Sequence, residues 1–151
     1  MSDDEGETIE EMFVQLGSGV RSTWDTLTIE GVTPSTLYFS DRPQRVVGHV
    51  TTEQFVNDWG LGPNSFESDP PNAVLTFPEA DGTLDDGVVQ LSFPSLSNDT
   101  LSYTIKVLEG SLPEAAGACS LFIDPFGRPL SPVSVCGMRR RGRRRARRQM
   151  I

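Results

Sequence analysis

Leu101-Ser102-Tyr103-Thr104-Ile105-Lys106-Val107-Leu108 decides the fold class of this chain. Leu101, Tyr103, Ile105 and Val107 share one side of an extended segment, while Ser102, Thr104, Lys106 and Leu108 share the other. A repeat of two with aromatic and β-branched residues on the apolar side is a strand signal; a helix would repeat every three to four residues. Reading outward, Leu96–Thr100 is a turn, Val88–Phe93 a strand ended by Pro94, and Pro78–Gly87 an Asp- and Gly-rich loop. Ala73–Phe77 is a further strand, and Ser120–Ile123 a last short one.

Upstream, Trp24–Val32 alternates with Leu27 and Ile29 facing inward. Leu37–Phe39 is a short strand, and Val46, Val47 and Val50 make another that Gly48 interrupts with an expected bulge. Met12, Phe13, Val14 and Leu16 form an apolar patch, either short helix or strand. One helix is expected after Thr51, with Thr51 as cap, Gln54 reaching back, and Phe55, Val56 and Trp59 at helical spacing. Gly60, Gly62 and Pro63 stop it. Fourteen glycines and eleven prolines punctuate the 151 residues. Short strands between turn residues point to an all-β domain, an antiparallel sandwich or barrel with one short helix.

Charge divides the chain further. The net charge of −8 conceals two opposed parts. Residues before Arg139 hold five basic and all 21 acidic side chains, a balance of −16. Arg139, Arg140, Arg141, Arg143, Arg144, Arg145, Arg147 and Arg148 follow without an acid. Residues 1–11 therefore read as an acidic leader, 12–137 as the β domain and 138–151 as an arginine-rich tail. Guanidinium groups bind phosphate bidentately, so the tail is expected to contact an anionic macromolecule: nucleic acid, a large assembly or a membrane face.

No apolar run is long enough to span a bilayer. The acidic N-terminus lacks the basic and apolar regions of a secretory signal, so an intracellular location is expected. Cys119 and Cys136 are too few for a disulfide scaffold and are expected as thiols.

Chemistry-bearing residues concentrate between Tyr38 and Asn72. Ser40, Asp41, Arg42, Arg45, His49 and Asp69 form a candidate cluster. Its structural reading is a turn at Ser40-Asp41-Arg42-Pro43, pinned by an Arg–Asp pair. Its functional reading is an anion pocket or a Ser-His-Asp arrangement, although no serine sits in a nucleophile-elbow motif. One histidine and two cysteines cannot supply a zinc site. Glu79, Asp81, Asp85 and Asp86 offer oxygen ligands for calcium, but their spacing is not that of an EF-hand loop. No cofactor is implied.

Tyr38-Phe39-Ser40-Asp41-Arg42-Pro43, Gly48, Thr52…Phe55…Trp59, Phe66…Asp69-Pro70-Pro71-Asn72-Ala73 and Ser120-Leu121-Phe122-Ile123-Asp124 together resemble a family of small uncharacterised microbial β-rich proteins, many of them exported. The resemblance covers roughly Trp24 to Asp124 and implies a β fold, with no activity or catalytic residue to carry over. The chain departs from exported members in its leader and its arginine tail. The expected role is a non-enzymatic binding or structural module held by the tail. The alternatives are an enzyme or small-ligand binder at Ser40–His49, and a calcium-dependent adhesion module.

Overall fold

A computed structural model describes residues 10–42, 44–62 and 65–123. The strands are β1 (Glu10–Gly17), β2 (Gly19–Ser22), β3 (Thr26–Glu30), β4 (Ser35–Arg42) and β5 (Val46–Thr51). A helix α1 (Thr52–Asn57) follows, then β6 (Asn72–Pro78), β7 (Leu84–Ser97), β8 (Thr100–Glu109), β9 (Ala115–Ala116) and β10 (Cys119–Ile123). All the strands join one antiparallel sheet in the order β5-β4-β1-β10-β6-β7-β8-β3-β2-β9. The fold is all-β with one short helix. No described helix is long and apolar enough to cross a membrane.

That order forces the sheet to curl. β1 and β2 stand six strand spacings apart in it, which in a flat sheet is about 29 Å. In sequence only Ser18 separates them, and the two Cα–Cα steps from Gly17 to Gly19 reach at most about 7 Å. The sheet therefore closes into a barrel. Its wall runs from the β1–β2 track through β10, β6, β7, β8 and β3 and back to β2. Gly17 sits at the bend because a Cβ there would run into the Ile29 side chain.

The alternation read from the sequence lines this barrel. Leu101, Tyr103 and Ile105 of β8 point inward, as do Leu27 and Ile29 of β3, Ala73, Leu75 and Phe77 of β6, and Leu121 and Ile123 of β10. Each buried leucine or isoleucine contributes about 1.5–3 kcal/mol relative to exposure. At Gly31 (φ +62°) the chain leaves β3, and β4 continues along β1 instead of β8. β4 and β5 thus form a two-stranded flap beside the barrel. α1 packs against β4, β5 and β7 and supplies Phe55 to the core, with Trp59 just beyond its end. There the rings pack at a tilt: Phe13 against Phe55 at 5.1 Å, Trp59 against Phe66 at 5.0 Å, and Trp59 against Tyr103 at 5.8 Å. A helix of six residues is held by this packing and not by its own propensity.

Several local expectations are corrected. Met12–Leu16 takes the strand form, one of the two left open, whereas Glu10 and Glu11 belong to β1, not to the leader, because β4 pairs with them. Ser40, Asp41 and Arg42 are strand, not turn: Ser40 pairs with Glu11 and Val46 and Arg42 with Glu10, with a register shift at Asp41 between them. Gly48 makes no bulge: the pairing from Ser35↔Thr51 to Ser40↔Val46 is unbroken. The acidic loop shrinks to residues 79–83, because Leu84–Gly87 pairs with β6. β7 runs past Pro94 to Ser97 through a register shift at Ser92/Ser95, where Phe93 takes a positive φ of 50°. A proline is tolerated there because the bulge needs no ladder donor from it. Trp24 lies in the turn before β3 and is 85% exposed.

Candidate functional site

Two threonines place the helix. Thr51 has extended backbone, and its Oγ1 accepts from Gln54 N at 2.9 Å, the expected N-cap. The reciprocal half of a capping box is not made; Gln54 Nε2 instead donates forward to Asp58 Oδ1 at 2.8 Å. Thr52 is buried, and its amide donates to Pro34 O at 2.7 Å. Its hydroxyl donates to Thr33 O, also at 2.7 Å. The start of α1 is thereby tied to the link between β3 and β4.

That hydroxyl begins a buried polar chain. The Thr52 proton is committed to Thr33 O, so at the 2.9 Å contact with Thr36 Oγ1 it is Thr36 that donates. Thr36 Oγ1 in turn accepts from Gln15 Nε2 at 3.3 Å, and Gln15 Oε1 accepts from the Tyr103 hydroxyl at 2.7 Å. Every donor points the same way, from β8 through β1 and β4 to α1 and the β3–β4 link. Gln15 and Thr36 are wholly buried, and Tyr103 and Thr52 nearly so. Burial pushes the Tyr103 phenol well above its ordinary range, against a small opposing effect of its bond to Gln15. It is a fixed donor and not an acid–base group.

The chain ends at the wall of a cleft of about 560 Å³. Thr33, Thr52, Glu53, Asn57, Asn98 and Asp99 are among its lining residues. Asn98 turns the β7–β8 hairpin with a φ of 56°, and Asp99 O accepts from Val32 N at 2.9 Å. Three distant segments thus meet there: the β3–β4 link, the start of α1 and the β7–β8 hairpin tip. Hydroxyls, carboxamides and two carboxylates around a partly apolar floor suit a small polar or cationic group. Neither histidine nor cysteine lines the cleft.

The residues singled out from the sequence lie elsewhere. Ser40 caps its own hairpin, donating to Gln44 O at 3.1 Å. His49 is exposed on β5 opposite Leu37, its Nδ1 3.2 Å from Ser35 Oγ. Ser40 and His49 project from opposite faces of the flap, because Ser40 shares the parity of Tyr38 and Gly48, and His49 that of Leu37. The strands therefore do not bring them together as a nucleophile–base pair. Asp41 and Arg42 are placed by their backbones at the end of β4. Arg45 is exposed next to β5, and Asp69 is exposed with its amide donating to Ser65 O at 3.0 Å. Arg139, Arg140, Arg141, Arg143, Arg144, Arg145, Arg147, Arg148 and Cys136 lie outside the described residues.

The remaining ionisable groups have local tasks. Tyr38 donates to Glu11 Oε2 at 3.0 Å, and burial, then the neighbouring carboxylate, pushes its phenol up. Cys119 is a buried free thiol, pushed up to about 11 by burial, and so carries little thiolate at neutral pH. Asp81 accepts from both the amide and the hydroxyl of Thr83, at 3.0 and 2.6 Å, which lowers its carboxyl; it closes the hairpin. Glu79 is raised by hydrogen bonding to Asp85. Among the described residues no three His, Cys, Asp or Glu side chains are grouped to hold a metal, so the acidic hairpin does not gather the calcium ligands considered above.

No family model, no curated protein and no solved structure matches this chain.

Proposed function

We propose that this protein is a non-enzymatic binding module: a β barrel that its arginine-rich tail anchors to an anionic macromolecule. The observation that carries this reading is the segregation of charge. Eight arginines occur between Arg139 and Arg148, after a body whose balance is −16. The last described strand ends at Ile123, and fifteen residues of sequence lie between it and the block. An acidic body repels phosphate, so the arginine block is the part suited to a polyanion.

The test compares the full chain with one ending at Met138, in pull-downs from the native source at low and high salt. Recovery of nucleic acid or of one assembly that needs the tail and is lost at high salt is the expected result. Equal recovery with both chains overturns the anchor.

A second reading is favoured by the cleft. A small polar ligand would bind between Thr33, Asn57 and Asp99, and not at Ser40–His49 as the sequence suggested. A screen of small amines and polyols by amide chemical shift is expected to perturb the β3–β4 link, α1 and the β7–β8 tip together. Shifts confined to β5 would reject it.

A further inference from the structure

The barrel wall closes on itself, but the flap does not. Among the described residues β5 has one strand neighbour, β4, and its other edge is open. Val46, Val47 and Val50 are 41%, 71% and 37% exposed along it. At six residues the edge is about 20 Å long. It lacks the usual protections: no lysine, proline or bulge interrupts Val46–Thr51. The opposite end of the sheet is β9, only two residues long.

The hydrogen-bond parity of this edge is fixed. Thr52 N donates to Pro34 O, so positions 46, 48, 50 and 52 carry the bonds to the β4 side. The amides and carbonyls of Val47, His49 and Thr51 therefore point away from β4. We propose that they pair with β5 of a second copy of this chain, antiparallel about a two-fold axis at Gly48.

Symmetry leaves few registers. Directly opposed residues must share a face, so the axis passes through a residue, and only Gly48 and His49, at the middle of Val46–Thr51, keep most of the strand paired. On Gly48, Val47 and His49 of the other copy exchange both backbone bonds, and Val46 meets Val50 of that copy. On His49, two imidazoles oppose each other and the valine pair is lost. At Gly48 a Cβ would have nothing within 4 Å, so no side chain stands in the way.

The strand suits a second copy because it is self-complementary: β5 contains no Asp, Glu, Lys or Arg, so no like charges oppose each other where Val46 meets Val50 of the other copy. Repulsion between two acidic bodies opposes the contact, so salt strengthens it. Self-association of tail with body would behave oppositely and weaken with salt. The inference is independent of the anchor reading.

The experiment is sedimentation of the full chain across protein and salt concentration, with Val47→Lys alongside. The expected result is a mass that doubles with concentration, more readily at high salt, and that stays monomeric in Val47→Lys with an unchanged circular dichroism spectrum. Gly48→Cys in a Cys136→Ser background is expected to form a covalent dimer on mild oxidation. The Cα–Cα separation of a non-hydrogen-bonded pair, about 4.5 Å, suits a disulfide. Monomer at every condition overturns the proposal. So does a dimer indifferent to Val47→Lys, or cross-linking through His49→Cys but not Gly48→Cys.

Discussion

The barrel and the flap are built from the same kind of strand and differ in whether each strand has two neighbours. β6 shows strict alternation of buried and half-buried residues, and the buried ones face a closed interior. β5, although richer in β-branched residues, is exposed at every position but Gly48, which is half-buried. Closure, not composition, gives a strand its buried face. The barrel abolishes its edges by joining β2 back to β1 through Ser18. Among the described residues the flap leaves one edge unpaired, because β4 lies between β1 of the wall and β5, and β5 pairs only with β4.

The difference should appear in stability. Leu121 is wholly buried in β10, and Leu121→Ala should lower unfolding free energy by about 2–5 kcal/mol in urea titrations. A loss under about 1 kcal/mol would mean that the barrel interior is loosely packed and would erase the contrast. Tyr103→Phe tests the polar chain that ties wall to flap. It strands Gln15 Oε1 in the interior and should cost about 1–3 kcal/mol. It should also raise amide exchange at Thr36 and Thr52, which a mere loss of packing at Tyr103 would not do. Thr51→Ala removes the cap at the base of the flap, with an expected loss of about 1 kcal/mol. The smallest effect is on the flap surface: His49→Ala should stay within about 0.5 kcal/mol of the parent. A larger loss there would show that the flap is as tightly held as the wall.

Stability near Cys119 has a pH signature. Its folded pKa lies above the unfolded one, so stability is unaffected below about pH 9 and declines from there until the folded value of about 11 is passed. Thiol labelling that follows global unfolding at neutral pH is the matching observation.

Much of the barrel was legible because alternation is a local property. Leu27, Ile29, Leu101, Tyr103 and Ile105 are inward in the sequence reading and inward in the fold. The Thr51 cap was legible for the same reason, since donor and acceptor lie three residues apart. The cleft was not. Its walls come from residues 32–34, 51–57 and 96–99, and the only local hints were the helix cap and the Asn98-Asp99 turn, each explained without the other. Ser40 and His49 looked like neighbours because nine residues separate them, but strand parity sends them to opposite faces.

By itself, then, the sequence determined the strand class, most of the inward set of residues (Val107, on the apolar side of its strand, is 39% exposed), the helix start and the division of charge between body and tail. Each follows from spacing or composition within a few residues. Only the tertiary structure decided that the sheet closes, that Gln15 and Tyr103 meet across 88 positions of chain, and that β5 has β4 as its one strand neighbour among the described residues. Those outcomes depend on which strands pair, and pairing is selected by the shared interior that the whole chain must fill.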